Sequence, residues 1–400
     1  MICLFLAFWL SFLPEALYSS CSTPILIMLL IGLAVSVFAG RIASFGTKDF
    51  LVVLFLAILS FNLIWVKDRP AAASCFVKFV LPGPILYFLF KNEFPLSKNK
   101  KAFLALFGVF ALIVAGFAVV EFILDRNLIF EKLIYNAFYL FFLFQRRAMA
   151  TQSVPQVLGV FLGALLPLFF EAFIAERRKK QRLIAGIMTI TIGAGVFVTF
   201  TRGVFLAVLA ASLFYAFFKN RKMWRHIILI FVTLVLFSTL ITKFNPTSRV
   251  GAVFFRFSIG MLVDSNSRAN NWKIALQMAK DHPFAGVGLA QFRSYYGFYN
   301  PEIKRDYAKI ADNMYLTILA EGGVIVFLSF VFFIYILMRD AVKYIRAKRS
   351  DSGLVLALSS GFLIILFAMV YFDALLWVVP LYMFWIYCGL LAALTTGMKE

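Results

Sequence analysis

Histidine, cysteine and acidic residues are scarce in this 400-residue chain, at two, four and 19 respectively. His226 and His282 stand alone, and Cys3, Cys21, Cys75 and Cys388 are scattered without paired spacing, so local motifs assemble neither a metal-ligand cluster nor a disulfide framework. No metal or other cofactor is expected. Charge is equally thin at 14% of residues, where a globular surface needs roughly a quarter, and this excludes a soluble domain. There is also no internal repeat of about 20–50 residues and no low-complexity tract.

What the chain has instead is apolar length. Hydrophobic residues make up 63% of it, and stretches of about 17–25 apolar residues, enough to cross a ~30 Å hydrocarbon layer, recur with short polar breaks. We expect an all-α polytopic membrane protein with about twelve spans: nine in 1–242, a long external loop over 243–313, and three in 314–400. The first apolar segment, Met1 to Leu13, has no basic leader and no small-residue cleavage site, so it reads as a retained span. Leu133 to Phe144 is apolar but too short to span, and reads as a re-entrant or interfacial helix.

Net charge is +20, and in a soluble protein that excess would suggest nucleic acid; here the cations sit in short loops between spans and report orientation, so no nucleic acid is expected. Glu176-Arg177-Arg178-Lys179-Lys180-Gln181-Arg182 and Lys219-Asn220-Arg221-Lys222-Met223-Trp224-Arg225 are expected to be cytoplasmic. The turn between them, Thr201-Arg202-Gly203, then faces outward. Propagating the alternation puts both termini in the cytoplasm and the segments Asp125 to Thr151 and 243–313 outside.

Cations on the outer side need another explanation. Arg202 in its tight turn, and Arg146-Arg147 before Val154-Pro155, either snorkel to lipid headgroups or grip an anionic group; a diphosphate suits guanidinium forks in a partly dehydrated site. The long loop carries ten Lys or Arg against five acids. Within it, Asn266 or Ser267 is a plausible cap, Trp272, Ala275, Leu276 and Ala279 follow helical spacing, and Pro283 terminates, which predicts a short amphipathic helix starting beside Arg268. Gly286-Val287-Gly288 is either a plain turn or a weak phosphate loop, since no strand precedes it. Tyr295, Tyr296, Tyr299 and Tyr307 are belt residues or sugar-stacking platforms. Among the acids, Asp312 precedes the returning span, Glu321 lies about two turns inside it, and Asp373 sits in the last outer turn; each is a candidate base or the partner of an outer arginine.

These pieces resemble the O-antigen ligase and polymerase superfamily of bacterial envelope glycan assembly. Thr199-Phe200-Thr201-Arg202-Gly203 is similar to the family's Ser/Thr-Arg-Gly turn, and Arg147 followed by Val154-Pro155-Gln156 to its arginine-then-Pro-Asn segment. Ser267-Arg268 with Trp272 and Asp281-His282-Pro283-Phe284-Ala285-Gly286-Val287-Gly288 resemble its periplasmic loop, and Asp312-Asn313-Met314-Tyr315-Leu316 with Glu321-Gly322-Gly323 its closing pattern. The resemblance implies a GT-C-like membrane enzyme of the bacterial inner membrane, needing no metal, that moves a preassembled glycan from undecaprenyl diphosphate to a hydroxyl of lipid A-core. Arg147, Arg202 and Arg268 would hold the diphosphate and Asp312 would activate the acceptor, with Arg146, Glu321, His282 and Asp373 in reserve. One departure stands out: the ligases usually carry histidine where this chain has Asp312, a weaker base unless burial lifts it. The polymerases of the superfamily are the nearest rival, and they usually elaborate two external loops. A transporter of a lipid-linked solute is a second class, but the repeat symmetry it predicts is absent from the sequence.

Overall fold

A computed structural model describes residues 15–38, 45–96, 100–127, 147–152, 154–244, 266–301 and 310–396. Met1 to Leu13, Leu133 to Phe144, Arg146, Tyr307 and all of 245–265 lie outside these residues. The described chain is helical, with no strand among the described residues. In order come α1 (Glu15–Phe38), α2 (Thr47–Asn62), α3 (Arg69–Cys75), a π turn (Phe76–Val80), α4 (Pro82–Leu96), α5 (Lys100–Leu124) and α6 (Pro155–Ala175). They are followed by α7 (Lys179–Phe197), α8 (Arg202–Lys219), α9 (Met223–Phe244), α10 (Asn266–Asp281), α11 (Phe292–Tyr299), α12 (Met314–Arg346), α13 (Ser352–Ala368) and, after a 3-10 turn at Ala374–Leu376, α14 (Val378–Thr395).

Among the described residues, six helical stretches are long and apolar enough to cross a membrane: 69–94, 107–124, 155–175, 202–219, 314–346 and 378–395. Shorter apolar helices cover 24–38, 223–237 and 352–368. The expected count of about twelve is not reached by this measure. Length and charge account for much of the difference, since α2 has only 16 residues and α7 opens on Lys179, Lys180 and Arg182. The helices break at 198–201, 220–222, 311–313 and 369–377, so the break expected at Thr201-Arg202-Gly203 lies just before Arg202, which opens α8.

Packing centres on α14, whose apolar window is 89% buried, against 28% for α8 at the periphery. It lies against α4 and α13, while α6 lies between α7 and α13. Lipid tails are as apolar as leucine, so close packing and polar bonds hold such helices together. The Tyr387 hydroxyl of α14 donates to the Ala164 carbonyl of α6 at 2.7 Å. At the end of the bundle where α2 begins, Lys91 meets Asp49 at 2.5 Å and Lys48 meets Asp340 at 2.9 Å. The opposite end gathers the turns that carry the sequence motifs.

At that motif end α12 is broken. Gly323 has φ 73° and ψ −178°, a left-handed setting that favours glycine, and a Cβ there would strike the Phe284 backbone. A break in a helix frees backbone groups, and the 283–288 loop takes them up. Val287 N–H donates to the Ala320 carbonyl at 2.8 Å, Gly288 N–H to the Glu321 carbonyl at 3.0 Å, and Val324 N–H to the Pro283 carbonyl at 2.8 Å. The α2 terminus clamps the same loop: Asn62 Nδ2 donates to the Ala285 carbonyl at 2.9 Å and its Oδ1 accepts from Leu289 N–H at 3.1 Å. A small separate core of Ile274, Ala275, Met278, Val287, Phe292 and Tyr296 seats α10 and α11 over the start of α12.

Candidate active site

The arginine turn is built from two segments. Arg147 is buried, and its Nε donates to the Thr199 carbonyl at 3.0 Å while Nη2 donates to Thr201 Oγ1 at 2.8 Å. Ala148 N–H adds a bond to the Val198 carbonyl at 3.0 Å. Behind them the Glu121 carboxylate, near the end of α5, accepts from Met149 and Ala150 N–H at 3.0 and 2.6 Å. Arg147 therefore shapes the turn from which Arg202 starts α8. Phe205 N–H on the Thr201 carbonyl, at 3.2 Å, closes the first helical bond, so the turn leads directly into a helix N-terminus, where anions are favoured.

The acidic side comes from the other end of the chain. Asp373 is buried between α13 and α14; its Oδ1 accepts from Thr317 Oγ1 at 2.7 Å and its Oδ2 from Asp312 N–H at 3.1 Å. Burial pushes the Asp373 carboxyl up to about 6, with the nearby Asp312 charge acting in the same direction. Asp312 is also held above the ordinary carboxylate value by burial, while Arg268 opposes the shift. Arg268 Nε lies 3.9 Å from Asp312 Oδ2, a loose pair with both side chains partly in water. Met314 N–H on the Met369 carbonyl, at 2.8 Å, ties the two segments together.

Tyr371 joins the two halves. Its ring lies so close to Gly203 that a Cβ there would overlap ring atoms, and the Arg268 charge acts on its hydroxyl. The structure thus links the Arg147, Arg202, Arg268, Asp312 and Asp373 segments through direct contacts. Three of the turns concerned place a non-glycine residue in the left-handed region, Ala150 (φ 51°), Phe200 (φ 44°) and Asp312 (φ 53°). Strain of this kind clusters at functional sites.

Other candidates sit elsewhere. The Glu321 carboxylate accepts from Ala290 and Phe292 N–H, both at 3.0 Å, and so caps α11 rather than pairing with an arginine. His282 packs edge-on against Tyr295, which also faces Lys67 at 5.1 Å. Gly286-Val287-Gly288 is a docking turn, its amides already bonded to His282, Ala320 and Glu321 carbonyls. Tyr296 is buried with its hydroxyl on Asn271 at 2.6 Å, and Tyr299 donates to Asp281 at 2.6 Å. The helix expected over the loop exists as α10, but its buried face runs through Ile274, Ala275 and Met278 and leaves Leu276 exposed.

Sequence reasoning did not single out Glu121, Thr317 or Tyr371. Glu121 carried a signal, as an acid within the apolar run Val119-Val120-Glu121-Phe122. Beneath Asp373 a narrow cavity of about 70 Å³ is lined by Phe55, Phe79, Thr317, Glu321, Leu375 and Trp385. Among the described residues no group of histidine, cysteine and acid side chains could hold a metal ion.

Residues 187–331 match the model of the family described as O-antigen ligase. The matched stretch runs from α7 to the broken part of α12 and includes Arg202, Arg268 and Asp312, whereas Arg147, Tyr371 and Asp373 reach it through contacts. No curated protein matches the chain.

Proposed function

Starting from a chain whose 187–331 segment places it with the O-antigen ligase superfamily, we propose that this protein is a glycosyltransferase moving a preassembled glycan from undecaprenyl diphosphate to an acceptor hydroxyl, a sugar of lipid A-core, on the periplasmic face of the inner membrane. The observation that carries this reading is the junction, through Tyr371 and Gly203, of an arginine turn with the buried Asp373 and the half-buried Asp312.

The acceptor oxygen attacks the anomeric carbon as the bond from that carbon to the diphosphate breaks. Arg202, at the N-terminus of α8, and Arg268 take up the negative charge that grows on the departing diphosphate, where fixed cations contribute most. Asp312 receives the acceptor proton. A carboxyl lifted by burial is a better base near neutral pH than a free one. Asp373 acts through Asp312, fixing its backbone and disfavouring a second nearby charge. Arg147 sets the turn rather than binding substrate through the two nitrogens bonded to Thr199 and Thr201. The cavity walled by Phe55, Phe79 and Trp385 suits the first part of the lipid tail. In this reading 243–313 is a periplasmic lid between spans in 1–242 and 314–400.

Deletion of the protein in its host, followed by gel analysis of lipopolysaccharide, tests the assignment. Loss of polymer from core with lipid-linked polymer accumulating supports the ligase. A single repeat left on core points to the superfamily's polymerases instead, and an unchanged ladder refutes both.

A further inference from the structure

The end of the bundle opposite the motif turns holds a cation cluster that the proposed transfer reaction leaves unused. An open cleft of about 490 Å³ lies between the last turns of α8 and α12 and the start of α13. Lys219, Arg221, Arg346 and Lys348 border it, and much of the remaining wall is apolar, with Phe218 and Leu356. Cations at span ends often do no more than set orientation, and charges splayed into open water need no partner. Here they converge on one cleft, where like charges repel.

One of the four is neutralised within the fold. Lys219 Nζ donates to the two Glu171 carboxylate oxygens at 2.7 and 3.0 Å, and Glu171 also accepts from the Tyr215 hydroxyl. The Arg221 guanidinium sits 4.6 Å from the centre of the Phe217 ring, which positions it without cancelling its charge. No ion pair reaches Arg221, Arg346 or Lys348 among the described residues, and Asp351, just before α13, does not border the cleft. Three positive charges therefore face one space without a counter-charge. A second, apolar cavity of about 170 Å³ follows along α8, walled by Pro167 and Phe170 of α6, Ser212 and Tyr215 of α8 and Ile227 of α9. The trio Tyr215, Glu171 and Lys219 joins the two spaces, since Tyr215 lines the apolar cavity and Lys219 the charged cleft.

We propose that this cleft binds the headgroup phosphate of an anionic glycerophospholipid through Arg221, Arg346 and Lys348, with an acyl chain of the same lipid against the cavity between α6, α8 and α9. Guanidinium forks and an ammonium suit phosphate oxygens, and basic pockets between membrane helices take anionic headgroups. A free phosphate would answer the cations but leave the adjoining apolar cavity without an occupant. The site is independent of the ligase reading, because it needs only a chain that crosses a membrane.

Full-length protein in a neutral detergent, titrated with phosphatidylglycerol or phosphatidylcholine and followed by native mass spectrometry, tests the assignment. We expect phosphatidylglycerol to bind at least about tenfold more tightly than phosphatidylcholine, with the preference shrinking as salt is raised. Arg346→Gln combined with Lys348→Gln removes two cations from exposed positions, so the lipid-free melting temperature should stay close to that of the parent. At about fivefold per cation, its affinity for phosphatidylglycerol should fall about 25-fold. Glycerol 3-phosphate, which carries the phosphate without the chains, should displace the lipid only at concentrations at least about 100-fold above the lipid's own dissociation constant. Displacement at concentrations comparable to that constant makes the occupant a soluble phosphate and overturns the lipid assignment. Equal affinity for the two lipids, or parent-like phosphatidylglycerol binding by the double variant, overturns the site itself.

Discussion

Replacing Asp373 by asparagine tests the electrostatics of the site most directly. The carboxyl is buried, and its protonation midpoint rises from 3.8 to about 6 on folding. At about 1.4 kcal/mol per pH unit, holding it ionised at pH 7.5 costs the folded state about 3 kcal/mol. The sign follows from proton uptake: between pH 4 and 6 the folded protein binds the proton more readily, so the contribution to stability is full below about pH 4 and is lost as pH rises through about 6. Asparagine has no charge to bury, but its amide end faces a donor from either Thr317 or Asp312, forfeiting one bond worth about 1 kcal/mol. Asp373→Asn should therefore be more stable than the parent by about 2 kcal/mol at pH 7.5, with the difference shrinking toward pH 4.5. Reversible unfolding of both proteins in mixed micelles, at a series of pH values, provides the measurement. A difference that does not change with pH would refute the reasoning, as would a variant less stable at pH 7.5 than at pH 4.5 relative to the parent. Turnover on the same preparations should fall, because the variant gains stability while losing the charge that positions Asp312.

Arg202→Ala should abolish glycan transfer while the protein still inserts in membranes, as read by immunoblot and a transfer assay; retained turnover removes Arg202 from the site. Gly203→Ala drives a methyl group into the Tyr371 ring, and we expect transfer to fall by more than about tenfold, with a near-normal rate showing that the ring moves aside freely. Arg147→Lys keeps the charge but cannot reproduce the forked contact to Thr199 and Thr201, and should lower stability by about 2 kcal/mol, measured by thermal unfolding. In the parent, kcat/KM should climb with pH along a limb lying above the ordinary aspartate value of about 3.9, because Asp312 and Asp373 are both raised by burial. A profile already flat from pH 4 to 6 would exclude both as the titrating group.

Much of this arrangement was legible in the chain because charge and punctuation act locally. The basic clusters on either side of 184–218 pinned the Thr201-Arg202-Gly203 turn, and Asn266 and Pro283 bracketed α10 to within two residues of its observed ends. The buried face of α10 was misjudged because Trp272 and Leu276 were weighed by hydrophobicity, whereas a shallow core of Tyr296 and Val287 accommodates Ile274 and Met278. Arg147 looked like a ligand because sequence shows its charge but not the Thr199 carbonyl that claims it. Tyr371 could not be singled out, since a lone tyrosine near a membrane surface has the composition of an interfacial belt residue; only its approach to a glycine some 170 residues earlier sets it apart. Glu321 reads from the sequence as a base or an arginine's partner because the amides it caps, those of Ala290 and Phe292, come from a loop whose path no local pattern specifies.

The break in α12 at Gly323 has a consequence for how the molecule is made. The lid's backbone partners belong to the returning membrane helix and to Asn62, more than 220 residues earlier in the chain. During synthesis the lid emerges before either Ala320 or Val324 exists to receive it, so it waits unpaired until α12 has entered the bilayer and α2 is already in place. The bonds between the 283–288 turn and α12 can then form only after α12 has been made. It also means that the 243–313 segment expressed by itself has no template to fold upon.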